Sequence, residues 1–415
     1  MRVLFLTPQL PFPPHQGTQI RNYHLLRTAA SAHQVELASF VRPGESLHRA
    51  APLQELCGQV WTLPTPTRSW ADRLRTLAAS AQPDIAFRLQ SEGFADILRA
   101  VANGNRYDVI QVAGLEMARY LPILRSAAPR TYLVFDDHNA EFRLQGRAAR
   151  VGAHRAGTWP KALYSLVQYL KLRRYEARVC RSADAVLAVS ETDAVALRRL
   201  APEARIWVVP NGVDCAYYQG EPSAEVDMAG LLFTGTMDYR PNVDAMEWFA
   251  SAILPAIVAR RPEANLQIVG RAPAPEVQRL ASLYRNVTVT GAVEDVRPFF
   301  SRSAVFVAPI RIAGGARLKI LEALAMGLPV VSTRMGAEGI DLVEGKEVLL
   351  ADSPEEFAAA VLRLLEDAEL RQQMAFLGRQ ATQERYDWSR VAPGLLDVYR
   401  EVAGQPPLQD GGGTG

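Results

Sequence analysis

Short apolar runs rich in β-branched residues alternate with amphipathic stretches along the whole chain. In the first half Val3–Leu6, Val35–Phe40, Val109–Val112, Tyr132–Phe135, Ala185–Val189 and Trp207–Val209 predict strands. The second half repeats the rhythm with Leu231–Thr234, Leu266–Val269, Val287–Thr290, Val305–Ala308, Val330–Ser332 and Val348–Leu350. Strand-helix alternation implies parallel sheets, so each half predicts a doubly wound α/β domain. Between the halves, Pro210-Asn211-Gly212-Val213-Asp214 carries turn chemistry and leads into a polar stretch from Gly220 to Asp227 where the periodicity lapses. The expected organisation is an N-terminal domain over 1–210, a linker over 211–228 and a second domain over 229–385. A C-terminal helix over 386–405, with Val391, Leu395, Leu396, Val398 and Tyr399 apolar, is expected to pack back across both domains, and 406–415 to form a disordered tail. Ligands of open α/β sheets bind beyond the carboxyl ends of the strands, so two such Rossmann-like domains are expected to face each other across a cleft that carries the function.

Length and composition agree with that picture. The chain has 415 residues, enough for two cores of ordinary size, and 48% hydrophobic against 22% charged residues is a globular balance. No apolar run approaches the ~18 residues of a membrane span, and the apolar stretch at the N-terminus is too short for a signal peptide. Cys57, Cys180 and Cys215 are scattered and suggest neither a disulfide framework nor a zinc site, which fits a reducing cytoplasm. The net charge of +2 conceals an asymmetry: residues 1–210 hold 27 Lys/Arg against 17 Asp/Glu, and residues 211–415 hold 19 against 27. The basic half suits an anionic partner such as a lipid surface or a phosphorylated acceptor, or is simply a set of solvated faces. The stretch Trp159 to Arg181 mixes four aromatic residues with six basic ones; it suits an anionic bilayer or, equally, ordinary helix packing.

The most informative segment runs from Gly314-Gly315-Ala316-Arg317-Leu318-Lys319 through Glu322 to Met326-Gly327-Leu328-Pro329-Val330-Val331. Glycines open a helix at about 316, Gly327 closes it, Pro329 prevents its continuation, and a buried strand follows. A helix N-terminus behind glycines presents free N–H groups and the positive end of a dipole, which suits a diphosphate, and Arg317 and Lys319 add formal charge there. Glu322, one turn on, can accept from two vicinal ribose hydroxyls. The plainer alternative is an i,i+3 surface pair of Lys319 with Glu322 behind a glycine turn.

This segment resembles the donor domain of the family-4 retaining glycosyltransferases, enzymes of the GT-B fold whose Glu-x7-Glu motif precedes a Gly-x-Pro-Val-Val strand. Glu322 matches the second glutamate; Gly314 stands where the first belongs, as in a subset with a Gly-Gly-x-Arg-x-Lys run. The resemblance implies that Arg317, Leu318 and Lys319 bind the donor diphosphate. Family members usually carry an Arg and a Lys in the loop that here reads Gly235-Thr236-Met237-Asp238-Tyr239-Arg240, where Arg240 is out of the usual place. By the same resemblance Gly235 and Thr236 approach a phosphate, Gly270 and the backbone around Val293 lie at the base, and Gly17 belongs to a first loop that closes over the diphosphate. His138, just after a strand, matches a family histidine near the donor sugar. An imidazole there can donate to a hydroxyl or shuttle a proton, or be structural. The side chains around Val293 carry no signature that separates uracil, guanine and adenine.

The function implied is hexosyl transfer from a nucleoside-diphosphate sugar to a hydroxyl of a glycan or lipid-linked acceptor, with retention and without metal or resident cofactor, in cell-surface or exopolysaccharide synthesis. His138, Arg317 and Lys319 are the expected catalytic residues. The expected location is the cytoplasm, at the inner face of the membrane, with no nucleic-acid partner. The rival readings are a sugar-nucleotide epimerase and a nucleotide-sugar-binding protein without catalysis; the missing dinucleotide fingerprint disfavours a dehydrogenase.

Overall fold

The computed structural model describes residues 1–42, 51–153, 159–219, 226–312 and 318–404. The chain forms two compact units, Met1–Pro210 with the stretch from Ala392, and Asn211–Val391.

The first unit holds seven strands: β1 (Arg2–Thr7), β2 (Gln34–Val41), β3 (Val60–Pro64), β4 (Val109–Ala113), β5 (Tyr132–Asp137), β6 (Ala185–Ala188) and β7 (Ile206–Val208). They form one sheet in the order β3-β2-β1-β4-β5-β6-β7, with every pairing parallel. Consecutive residues Val3, Leu4, Phe5 and Leu6 are all fully buried, because helices cover both faces. Leu4 and Leu6 join a core with Phe40, Phe94, Ile110, Tyr120 and Phe135, in which the Phe40 and Phe94 rings stack at 4.3 Å.

The second unit holds β8 (Asp227–Thr234), β9 (Asn265–Val269), β10 (Val287–Gly291), β11 (Ser303–Ala308), β12 (Val330–Ser332) and β13 (Leu349–Leu350). Its sheet is also all parallel, in the order β10-β9-β8-β11-β12-β13. Alternate residues divide between two cores: Leu231, Phe233, Val305 and Val307 face one, and Leu232, Phe306 and Ala308 the other.

Two details differ from the sequence reading. The strand β3 carries no residue that is fully buried and was not anticipated; an edge position gives Val60 to Pro64 a weak apolar signal. The final helical stretch is two pieces, Trp388–Val391 and Gly394–Ala403, divided at Pro393. Of the stretch expected as a linker, residues 211–219 are described, and Val213 and Cys215 are buried in the second unit's core. Gly394–Ala403 lies on the first unit, where the Tyr399 hydroxyl donates to Gln111 Oε1 and Trp207 Nε1 donates to Glu401 at 3.0 Å.

Candidate functional site

In the second sheet β8 pairs with β9 on one side and with β11 on the other. The connections after β8 and β11 therefore leave in opposite directions, which opens a crevice at their carboxyl ends. Gly235 follows β8 with φ +153 and Gly270 follows β9 with φ +154. Gly235 donates to Val269 O at 3.0 Å, and a Cβ on Gly270 would sit 1.7 Å from Gly235 O. The two turns are thus pressed together backbone to backbone, a contact only glycine permits.

On each side of the crevice stands a helix, α4 (Arg240–Trp248) after β8 and α5 (Leu318–Ala325) after β11. Lys319, in the first turn of α5, donates from Nζ to Asn242 Oδ1 on α4 at 2.8 Å, and its ammonium lies 4.0 Å above the Phe233 ring. Asn242 Nδ2 donates in turn to Thr236 O at 2.8 Å. A Cβ on Gly235 would meet both Asn242 Nδ2 and Lys319 Nζ at 2.8 Å. Gly235, Thr236 and Lys319 therefore come together in one place, as the motifs suggested. Arg311 binds both oxygens of Asp244 at 3.1 and 2.9 Å and lies 4.7 Å over the Trp248 ring, so it ties the start of the connection after β11 to α4.

Glu322 is partly buried and accepts a hydrogen bond from the Tyr218 hydroxyl. Burial raises its pKa against the opposing effects of Tyr218 and Lys319. Leu318 is the first described residue of α5 and partly exposed; Val293 is partly buried against the core of the same unit. Gly327 (φ +72) closes α5: Gly327 N donates to Leu324 O and Leu328 N to Ala323 O, each at 2.9 Å, the paired bonds of a Schellman cap. Arg317 and Gly314 lie outside the described residues.

In the first unit the switch of direction falls between β1 and β4. Gly17 is the exposed first residue of α1 (Gly17–Ala32), which follows the β1 connection. Arg21, four residues into that helix, is 1% exposed and makes a forked pair with Asp136 at 2.7 to 3.0 Å. It also donates to the Val209 carbonyl at 2.9 Å. Burial alone would raise the Asp136 pKa; Arg21 and His138 override it and hold the carboxyl at about 2. His138 Nε2 lies 3.4 Å from Asp136 Oδ2, and the side chain is 12% exposed. Behind them Asp137 is 2% exposed and Glu176 fully buried. Glu176, on α3 (Trp159–Ser182), accepts from Glu141 N and Phe142 N at 3.0 and 3.1 Å, at the start of α2 (Glu141–Ala153). Desolvation, and then the charge of Glu176, raises the pKa of Asp137; desolvation outweighs the N–H groups and raises that of Glu176.

The motifs point to the glycines, Lys319, Glu322 and His138 but carry no signal for Asn242, Tyr218, Arg311 with Asp244, or Arg21 with Asp136. Each of these partners is separated from its mate by at least 67 positions. Among the described residues no cluster of His, Cys, Asp or Glu could hold a metal ion, and no helix is long and apolar enough to cross a membrane.

Two family models match, Glycosyltransferase Family 4 over residues 16–217 and Glycosyl transferases group 1 over residues 229–367. The chain belongs to the group 1, family 4 glycosyltransferases. It is 31% identical over 205 residues to a phosphatidyl-myo-inositol mannosyltransferase of Mycolicibacterium smegmatis, covering 47% of this chain and 52% of that protein. It is 27% identical to a D-inositol 3-phosphate glycosyltransferase of Acidothermus cellulolyticus, covering 68% of this chain and 70% of that one. A protein from the cps region of Klebsiella pneumoniae matches at 24% over 40% of this chain and 45% of its own. The chain thus spans about half the length of the Klebsiella and Mycolicibacterium relatives. In fold it is similar to the sucrose-phosphate synthase of Thermosynechococcus elongatus (TM-score 0.71, 18% identity, 97% of this chain and 99% of that one). It is similar too to Anabaena HepE in complex with UDP (TM-score 0.64, 16% identity, 97% and 100%). These glycosyltransferase neighbours share the GT-B architecture of two Rossmann-like domains.

Proposed function

We propose that this glycosyltransferase moves a hexosyl group from a nucleoside-diphosphate sugar to a hydroxyl of a glycan or lipid-linked acceptor, with retention of anomeric configuration. The observation that carries the reading is the gathering of Gly235, Thr236, Lys319 and the start of α5 at the switch point of the second sheet. Close backbone, a helix N-terminus and a fixed ammonium are what a diphosphate requires. Glu322, one turn along the helix, is offered to the ribose, and the Val293 backbone to the base. Arg317, with Lys319, is assigned to the leaving diphosphate.

In the proposed reaction the acceptor oxygen forms a bond to the anomeric carbon on the face from which the phosphate departs. The bond from that carbon to the β-phosphate oxygen breaks, its electron pair stays with the phosphate, and that oxygen takes the acceptor's proton. Lys319 and the α5 dipole stabilise the charge that develops there, the largest electrostatic contribution available. His138 donates to a hydroxyl of the transferred sugar. The scheme routes no step through a metal and needs no second carboxylate of the kind glycosidases use. We place the reaction on the cytoplasmic face of a membrane, in cell-surface polysaccharide synthesis. The basic first unit supports that placement: Leu163, Leu166 and Leu170 are exposed on α3, and Arg173, Arg174, Arg178 and Arg181 line a depression of about 530 Å³ beyond them.

Incubation with UDP-, GDP- and ADP-sugars, scored for release of nucleoside diphosphate and for a product of retained configuration, tests the reading. Release that depends on an added acceptor supports transfer. Nucleotide binding without turnover favours a non-catalytic binder, and a changed sugar still attached to its nucleotide favours an epimerase.

A further inference from the structure

A buried hydroxyl without a hydrogen bond is destabilising, and buried hydroxyls at the strand ends of both sheets are ordinarily paired. Thr7, the last residue of β1, is fully buried and donates to Ser39 Oγ at 2.9 Å. Ser332, the last residue of β12, is fully buried and donates to Thr333 O at 2.9 Å. Thr333 in turn donates to Ile310 O and accepts from Gly336 N at 2.9 Å. Thr234, the last residue of β8, is the exception. It is 5% exposed, and among the described residues it is the one serine or threonine whose buried hydroxyl has no partner.

The strand fixes where that hydroxyl stands. Side chains alternate between faces along β8, so Thr234 shares the face of Leu232. Leu232 lies in the core that also holds Val269, Ala308 and, from α5, Ile320, Leu321 and Leu324. Val269 is the residue of β9 that pairs with Thr234. Thr234 is therefore at the carboxyl edge of the sheet, on the face that α5 covers. The next residue, Gly235, keeps it close to the start of that helix: a Cβ on Gly235 would lie 2.8 Å from Lys319 Nζ in the first turn. Apolar side chains offer a hydroxyl nothing, and the first turn of a helix presents N–H groups that are donors themselves. A phosphate oxygen can accept from such N–H groups and from the hydroxyl together.

Building on the donor reading above, we infer that Thr234 is a further diphosphate-binding residue: its hydroxyl donates to a phosphate oxygen of the bound nucleotide, which supplies the partner that the fold does not. Removal of this hydroxyl has the reverse of the usual effect. A hydroxyl that bonds within the fold supports the free protein, whereas one whose partner is the ligand weakens the free protein and contributes to affinity.

The test is a ligand-observed NMR titration with UDP, GDP and ADP and, as controls, uridine, guanosine and adenosine, on the full chain and two variants, with circular dichroism melting of each free protein. Thr234→Val keeps the shape without the hydroxyl, and Thr234→Ser keeps the hydroxyl. Thr234→Val is expected to bind the preferred nucleoside diphosphate about tenfold more weakly, the scale of one hydrogen bond to a charged group, and the nucleoside within about twofold of wild type. Its melting temperature is expected at or above that of wild type. Thr234→Ser is expected to hold the diphosphate within about threefold of wild type. Unchanged diphosphate affinity in Thr234→Val, or equal weakening of diphosphate and nucleoside, overturns the inference while leaving the donor site standing. A Thr234→Ser protein as weak as Thr234→Val assigns the loss to packing, and a lowered melting temperature in Thr234→Val assigns the hydroxyl a partner within the fold; either overturns it as well. A wild-type protein that binds none of the three diphosphates overturns the donor reading and the inference together.

Discussion

The least replaceable single residue in the crevice of the second sheet is Gly270. Any β-carbon there overlaps Gly235 O at 1.7 Å and also demands a positive φ. Gly270→Ala is expected to lower stability by about 3 kcal/mol or more, through backbone overlap as well as φ strain. Urea denaturation measures it, and a loss under about 1 kcal/mol contradicts the close packing of the two turns. In the first unit the Arg21 and Asp136 pair is fully buried, so truncation of one partner leaves a charge without compensation. Arg21→Met is expected to cost about 3 to 5 kcal/mol. The folded Asp136 titrates at about 2, below its ordinary 3.8. Its contribution is thus complete above pH 3.8 and lost as the pH falls toward 2. Loss of the same stability at pH 7 in Asp136→Asn as in wild type at pH 2 would fit this account; an acid-insensitive wild type would not. At Glu322 the expectation is different: Glu322→Gln removes a charge already disfavoured by burial, so nucleotide affinity falls while the melting temperature of the free protein holds. A melting temperature that drops by more than about 4 °C would give Glu322 a structural role instead.

At the scale of elements, helix ends carry the chemistry. The start of α2 is capped from α3 by the Glu176 carboxylate, with Asp137 beside it, and the charged groups that bear on the pair are Glu141 and Asp193. Both Asp137 and Glu176 have raised pKa values, so between about 4 and those raised values the folded protein holds more protons than the unfolded chain. Stability from this pair is therefore greatest at low pH and falls as the pH rises through that window. Glu176→Gln keeps an acceptor oxygen for one of the two N–H groups and does not titrate. Melting temperatures from pH 4.5 to 8 are expected to decline less steeply in this variant; identical slopes would remove the pair from the titration. The close of α5 offers a simpler case. Gly327→Ala puts a side chain on a positive φ with nothing to clash against, and is expected to cost about 1 kcal/mol, through φ strain alone.

At the scale of the whole molecule, the two units each have their own sheet and core, and the proposed nucleotide contacts lie in the second. A nucleoside-diphosphate sugar at 100 times its dissociation constant is expected to add about 2.7 kcal/mol of stability, and Glu322→Gln to reduce that gain. Hydrogen exchange locates the effect: protection is expected to rise most at Gly235, Gly270 and α5, and uniform protection of β1 to β7 instead would move the site. Most of the strands, the glycine turns and the α5 cap were legible from the sequence, because they depend on periodicity and on local turn chemistry, whereas Lys319, Glu322 and His138 were singled out by motif and family resemblance. Local chemistry writes such features into neighbouring residues. The edge strand β3 was not legible, since partial burial erases its pattern. Nor were the partners: that Lys319 donates to Asn242, that Arg311 pairs with Asp244, and that Asp136 is charged while Asp137 resists ionisation. Those outcomes depend on which side chains distant parts of the chain bring within 3 Å and on how much water is excluded there, and both are decided only when the sheets close.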